Sequence, residues 1–121
     1  MARILLVDDS QVILELTKIY LMGRSVSVLE ARDGEEALRV VRIERPDLVI
    51  ADLRMPKLDG PGLCAAMRGD THAAAIPVII MTSDKDAASR ERCISAGARE
   101  VLTKPVSPPT LHAAIQRYLP V

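Results

Sequence analysis

The sequence contains neither phenylalanine nor tryptophan, and Tyr20 and Tyr118 are its only aromatic residues. Proteins that stack nucleobases or hold a flavin between rings need exposed aromatic side chains, so both classes are disfavoured. Net charge is also absent, because 16 lysines and arginines balance 16 aspartates and glutamates. Direct binding of nucleic acid is therefore not expected, since it requires a strongly basic surface.

Long apolar runs and cysteine motifs are missing as well. No stretch approaches the roughly 18 apolar residues of a membrane-spanning helix, and the chain begins with a predicted strand rather than a secretory leader. We therefore expect a cytoplasmic protein without membrane contacts. Cys64 and Cys93 have no C-x-x-C or Cys/His spacing, which favours two reduced, buried thiols over a disulfide or zinc site. His72 and His112 have no ligand-spaced neighbour and are assigned surface or structural roles.

What the sequence does contain is a regular alternation of β-branched runs and amphipathic segments. Its 121 residues suffice for one domain, which we place at 1–121. Strands are predicted at 3–7, 27–31, 48–52, 78–82 and 101–103, with helices between them and after the last. Because the central strands are apolar on both faces, the pattern predicts a doubly wound α/β domain with a parallel sheet.

Small charged or hydroxyl residues follow these strands at one end. Asp8 and Asp9 follow the first strand, Asp52 ends the third, Thr82 ends the fourth and Lys104 follows the fifth. In a doubly wound sheet, ligands bind outside the carboxyl ends of the strands. All five side chains are therefore predicted to lie at one edge of the sheet.

The chemistry of this edge favours phosphoryl transfer. Three adjacent carboxylates repel one another unless a cation neutralises them, and an oxygen-only ligand set that leaves room for water favours Mg²⁺. Asp52 is the predicted nucleophile, Lys104 and Mg²⁺ spread charge on the transferred group, and Thr82 senses the product. The expected product is an aspartyl phosphate.

Each residue taken alone also has a simpler interpretation. A single aspartate at a strand end is often a helix cap or the acceptor of an Asx turn, and Thr82 or Ser83 could cap the next helix. Lys104 could be an ordinary solvated lysine. The convergence of all these residues on one edge favours the functional interpretation.

Five fragments resemble a known family in order and spacing: "LLVDDS", "DLRMPKLDG", "VIIMTS", "SAGA" and "TKP". The chain resembles the receiver domain of two-component response regulators over essentially its whole length. This resemblance implies five strands in the order 2-1-3-4-5, five flanking helices, and transfer of a phosphoryl group to Asp52 from a histidine kinase or phosphotransfer domain. It implies a signalling module rather than an enzyme, with at most its own phosphorylation and dephosphorylation, and an output partner that the sequence does not identify.

The resemblance also implies roles for individual residues. Asp9, Asp52 and the main-chain carbonyl of Arg54 would bind Mg²⁺ directly, and Asp8 would act mainly through water. Thr82 would move to hydrogen-bond the phosphoryl group, and Lys104 would form a salt bridge to it. The peptide bond between Lys104 and Pro105 is expected to be cis.

One position departs from the family pattern, and two others lie beside the site. Val101 replaces the tyrosine or phenylalanine whose ring usually turns inward, so it either simply completes the last strand or marks an altered output mechanism. Arg54 and Asp84 each lie two residues after a predicted site residue. We hypothesise that they pair across the mouth of the site and slow hydrolysis; the alternative is two independent solvated charges.

Two other functions remain as alternatives. One is a receiver-like adaptor that binds partners without phosphorylation, which Val101 allows and the complete acidic set opposes. The other is a flavodoxin-like or nucleotide-binding protein of similar topology. The acidic "DDSQ" after the first strand opposes this possibility, because such proteins need a loop rich in glycine or hydroxyl groups there.

Overall fold

The computed structural model describes residues 1–120, in which five strands alternate with five helices. The strands are β1 (Ala2–Val7), β2 (Val26–Ala31), β3 (Leu48–Asp52), β4 (Val78–Thr82) and β5 (Glu100–Thr103). The helices are α1 (Gln11–Leu21), α2 (Gly34–Glu44), α3 (Gly60–Arg68), α4 (Ala87–Ala96) and α5 (Pro108–Gln116). All five predicted strands are present, and each predicted boundary lies within one residue of the observed one.

The strands form one parallel sheet in the order β2-β1-β3-β4-β5. The predicted doubly wound α/β fold and its strand order are therefore confirmed. Chain order reverses between β1 and β3, whose registers align Val7 with Ala51. This reversal opens a crevice at the carboxyl ends of the central strands, where the predicted site residues lie.

Helices cover both faces of the sheet and bury its central strands. On one face, α2, α3 and α4 enclose a core that includes Leu5, Val49 and Ile80. On the other face, α1 and α5 pack over Ile4 and Ile79. The central strands are apolar on both faces because both are removed from water. The hydrophobic effect thus fixes the strand ends from which the site is built.

The helices begin with side-chain caps close to the site. Ser10, Asp33, Asp59, Asp86 and Ser107 each accept a hydrogen bond from an amide in the first turn of the helix that follows. Such a cap typically contributes about 1 kcal/mol. The suggestion that Thr82 or Ser83 caps the fourth helix is wrong, because Asp86 is the cap.

Both cysteines are buried and free, as predicted. Burial raises the pKa of Cys64 to about 12, so its thiol stays protonated at neutral pH. His112 Nε2 lies 2.6 Å from the carbonyl oxygen of Tyr20 and joins α5 to α1, whereas His72 is exposed. Within residues 1–120, no helix has the length and apolar character needed to cross a membrane.

Candidate functional site

The three predicted carboxylates converge at the carboxyl edge of the sheet. Asp8 follows β1 and Asp52 ends the neighbouring strand β3, in a register that pairs Val7 with Ala51. Asp9 is the residue after Asp8. One oxygen from each carboxylate can be chosen so that all three lie within 4.8 Å of one another. Asp8 is only 3% exposed, whereas Asp9 is exposed to solvent. The cluster is therefore buried on one side and open on the other.

Lys104 provides a cation within this cluster. Its Nζ lies 2.8 Å from Asp52 Oδ1 and 3.3 Å from Asp8 Oδ2. Burial lowers the pKa of Lys104, but the hydrogen bond to Asp52 and the charges of both carboxylates outweigh burial and raise it overall. The lysine therefore stays charged, and its side chain is only 22% exposed. The peptide bond from Lys104 to Pro105 is cis, as the resemblance implied.

Asp8 is the most buried of the three carboxylates. Burial raises the pKa of Asp8 above its usual value; the Ser10 amide and Lys104 oppose this effect, and the charge of Asp52 adds to it. The Ser10 amide donates to Asp8 Oδ1 at 2.9 Å, so Asp8 is also the turn acceptor that the simpler interpretation predicted. Clustered carboxylate oxygens with one cation among them have the donor chemistry of a Mg²⁺ site, so the residues fit that ion.

Thr82 lies at the end of β4 and is 4% exposed. Its Oγ1 accepts a hydrogen bond from the Asp84 amide at 3.0 Å. Asp84 then contacts two further segments, because its Oδ2 accepts from Arg54 at 3.1 Å and from the hydroxyl of Ser89 at 2.8 Å. The hydrogen bond from the Asp86 amide, then those from Ser89 and Arg54, lower the pKa of Asp84. The hypothesised pairing of Arg54 with Asp84 is therefore present.

The loop after β3 is held close to the end of that strand. The Gly60 amide donates to the carbonyl oxygen of Leu53 at 2.9 Å. A Cβ at Gly60 would lie 2.9 Å from the carbonyl oxygen of Asp52, which is closer than real Cβ atoms approach. This position therefore needs glycine, and Arg54 lies in a loop that the α3 N-terminus holds against the strand end.

Val101 lies in β5, where it pairs with Ile80 of β4. It is 5% exposed, and its carbonyl oxygen accepts a hydrogen bond from the Arg90 side chain of α4 at 3.1 Å. A hollow of about 460 Å³ lies beside it, lined also by Lys85, Asp84 and Thr103. The hollow lies where the β4–α4 loop, α4 and β5 meet.

One contact at the site could not be found from the sequence. The guanidinium of Arg32 donates to the carbonyl oxygen of Asp9 at 2.9 Å and to Gln11 Oε1 at 2.9 Å. Arg32 follows β2, an edge strand, and no motif or spacing connects it with Asp9. Only the fold brings it to the acidic cluster.

Comparison with known proteins identifies the family. A family model described as "Response regulator receiver domain" matches residues 4–116. The "Probable transcriptional regulator ycf27" of Cyanophora paradoxa is 39% identical over 117 residues, which are 97% of this chain and 48% of that protein. The chain thus spans about half the length of the curated relatives it matches.

Two solved structures are similar over nearly their whole length. The chemotaxis protein CheY4 of Vibrio cholerae has a TM-score of 0.91 and 32% identity, covering 98% of this chain and 99% of that one. The receiver domain of the sensor histidine kinase PA1611 from Pseudomonas aeruginosa PAO1 has a TM-score of 0.90 and 29% identity. It covers 99% of this chain and 98% of its own, and its active-site cleft contains a coordinated magnesium ion.

These matches span the same strands and loops that bring the acidic cluster and Lys104 together. Fold, strand order and sequence similarity therefore agree, and the chain belongs to the response regulator receiver domain family.

Proposed function

We propose that this receiver domain accepts a phosphoryl group on Asp52 from a histidine kinase or phosphotransfer domain, with Mg²⁺ as cofactor. One observation carries the proposal: Lys104 Nζ lies 2.8 Å from Asp52 Oδ1, in an open crevice that also holds Asp8 and Asp9. The domain acts on no other substrate, and its chemistry is limited to its own phosphorylation and dephosphorylation.

The phosphoryl group would be transferred from a phosphohistidine. An oxygen of Asp52 attacks phosphorus, the new O–P bond forms as the P–N bond breaks, and the leaving imidazole takes up a proton. Lys104, already beside Asp52, pairs with the phosphoryl oxygens. The Thr82 hydroxyl, which accepts from the Asp84 amide, turns and donates to one of these oxygens.

Mg²⁺ would be held by Asp9, Asp52 and the carbonyl oxygen of Arg54, with Asp8 acting through water. When bound, the ion neutralises charge on the carboxylates and on the phosphoryl oxygens. This proposal is supported by the clustered carboxylate oxygens and by the magnesium in the PA1611 receiver.

The phosphodonor would approach across α1. An apolar groove of about 270 Å³ runs between α1 and the segment after β5, and Lys104 lies in its lining with Leu16 and Val106. Val12 and Ile19 of α1 are 75% and 59% exposed. A helix that carries the phosphohistidine could bury these apolar groups while its imidazole reaches Asp52, so we assign this face to the donor.

The output would be a surface formed by α4, β5 and α5. Val101 has no ring that could move inward. We propose that the hydrogen bond from Arg90 to the Val101 carbonyl oxygen changes instead when Thr82 moves. The name of the Cyanophora paradoxa relative supports a transcriptional output, and we propose a separate DNA-binding domain as the partner of this surface.

The Arg54–Asp84 pair would slow loss of the phosphoryl group by restricting water at the mouth of the site. We expect Arg54→Ala and Asp84→Ala to accelerate dephosphorylation severalfold, measured by the decay of purified phosphoprotein in Mg²⁺. Unchanged rates in both variants would remove this role. Arg39→Ala, which removes an arginine of α2, is the matched control.

The proposed function is tested by treating the protein with acetyl phosphate and MgCl₂ and measuring the intact mass. We expect one phosphoryl group on the wild type and none on Asp52→Asn, with loss of the modification when EDTA is added beforehand. An unmodified wild type would instead support the phosphorylation-independent adaptor, the alternative that Val101 allows. Binding of a partner equally before and after modification would also favour the adaptor.

A further inference from the structure

We propose that Arg32 is a positioning residue for Mg²⁺ binding, which holds the segment between β1 and α1 so that the Asp9 carboxylate faces the ion. The inference rests on the proposed function for the identity of the cation. Arg32 itself contributes no ligand, because its guanidinium is positively charged and has no acceptor.

Asp9 lies just beyond the part of the chain that the sheet fixes. The β1–β2 register ends at Val7 and Ala31, and the last hydrogen bond joins the Asp8 amide to the Ala31 carbonyl oxygen at 3.2 Å. Helix α1 then begins at Gln11. Asp9 is therefore exposed in a two-residue connection, and its carboxylate direction depends on how that connection is held.

Arg32 contacts both this connection and the first residue of α1. One guanidinium nitrogen donates to the carbonyl oxygen of Asp9 and the other donates to Oε1 of Gln11, each at 2.9 Å. A planar guanidinium that makes two hydrogen bonds fixes the relative position of both acceptors. The peptide after Asp9 and the start of α1 are thus held in one arrangement.

The two residues that follow Arg32 are also held in place. Asp33 Oδ1 accepts from the Glu36 amide at 2.8 Å and so caps α2. Gly34 packs so closely on the loop after β3 that a Cβ would lie 2.0 Å from the carbonyl oxygen of Leu58. Because that loop carries Arg54, residues 32–34 connect the two segments that supply the proposed Mg²⁺ ligands.

The positive charge of Arg32 opposes Mg²⁺ binding, whereas its hydrogen bonds favour it. A guanidinium near the site repels a divalent cation, but Arg32 is exposed and salt screens such repulsion strongly. Loss of positioning therefore weakens Mg²⁺ binding, whereas loss of charge alone strengthens it. The sign of the change in affinity separates the two effects.

The test is calorimetric titration of MgCl₂ into the purified chain at moderate ionic strength. We expect Arg32→Ala to weaken binding by about five- to tenfold and Gln11→Ala by about two- to threefold, because the first removes both hydrogen bonds from Arg32 and the second removes one of them. Arg32→Lys keeps the charge without the planar fork and should also weaken binding. Arg39→Ala removes the same charge from α2 and should not weaken it.

A second measurement separates positioning from a general loss of structure. With acetyl phosphate as donor, Arg32→Ala should need more MgCl₂ but reach the wild-type phosphorylation rate at saturation, and its far-ultraviolet circular dichroism spectrum should match that of the wild type. Unchanged or tighter binding of MgCl₂ by Arg32→Ala would overturn the inference, as would a lower rate at saturation. Failure of the wild type to bind MgCl₂ would overturn the proposed function as well.

Discussion

Replacing Asp8 with asparagine should stabilise the metal-free protein. Asp8 is buried beside a second carboxylate, and burial raises its pKa, so folding is penalised for keeping this group charged. A raised pKa means that stability is present at acid pH and is lost as pH rises through the folded-state pKa. The asparagine does not ionise, so its advantage should be larger at pH 7 than in acid.

The magnitude follows from the distances. With an effective dielectric constant near 20, Lys104 at 3.3 Å attracts the Asp8 charge by about 5 kcal/mol, and Asp52 within 4.8 Å repels it by about 3.5 kcal/mol or more. Desolvation of a buried carboxylate costs several kcal/mol and exceeds the small remaining attraction. Lys104 keeps its partner Asp52 in the variant, so we expect a net gain of about 1–3 kcal/mol.

The assay is urea unfolding in EDTA at pH 7, followed by far-ultraviolet circular dichroism because the chain has no tryptophan. A gain of this size should raise the urea midpoint by about 1 M. Glu91→Gln is the matched control: this carboxylate is exposed on α4 and lies outside the acidic cluster, so its effect should stay within about 0.5 kcal/mol. If Asp8→Asn were no more stable than the wild type, the Lys104 attraction would outweigh desolvation and the reasoning would be refuted.

Three further predictions concern other parts of the fold. Gly34→Ala should cost about 3 kcal/mol in urea unfolding because its Cβ would lie 2.0 Å from the Leu58 carbonyl oxygen, whereas Gly69→Ala, with only ordinary contacts, should change little. The hydrogen bond from the Glu36 amide lowers the pKa of Asp33 in the folded protein, so the stability that Asp33 contributes is present above its unfolded-state pKa and lost as pH falls through its folded-state pKa. In Asp33→Asn, the urea midpoint should therefore change less between pH 6 and pH 3 than it does in the wild type. Cys64, with a pKa raised to about 12, should resist iodoacetamide at pH 8 and become alkylated in urea, as mass spectrometry would show.

Much of the fold could be predicted because its determinants are local. Apolar runs of strand length, alternation with helical periodicity and caps such as Ser107 before Pro108 all lie within short windows of sequence. The positions of Asp8, Asp52 and Lys104 then followed from the rule that parallel strands present their carboxyl ends at one edge. The sequence alone therefore predicts both the fold and the acidic cluster.

The contacts between loops could not be predicted in the same way. The Arg32 side chain reaches a carbonyl oxygen 23 residues earlier, and its path depends on how two connections approach each other. Similarly, Asp86 rather than Thr82 caps α4, because the Thr82 hydroxyl accepts the Asp84 amide instead. Such contacts depend on side-chain conformations and on which acceptor each donor reaches, and neither produces a periodic pattern in the sequence.

The site residues lie far apart in the sequence, which determines when the site can form during folding. Asp8 and Lys104, which pair at 3.3 Å, are 96 residues apart, and they meet only after β5 has joined the far edge of β4. A nascent or partly unfolded chain therefore has carboxylates but no cation to balance them. Phosphorylation of Asp52 would thus require the complete sheet, and incompletely folded molecules would not be phosphorylated.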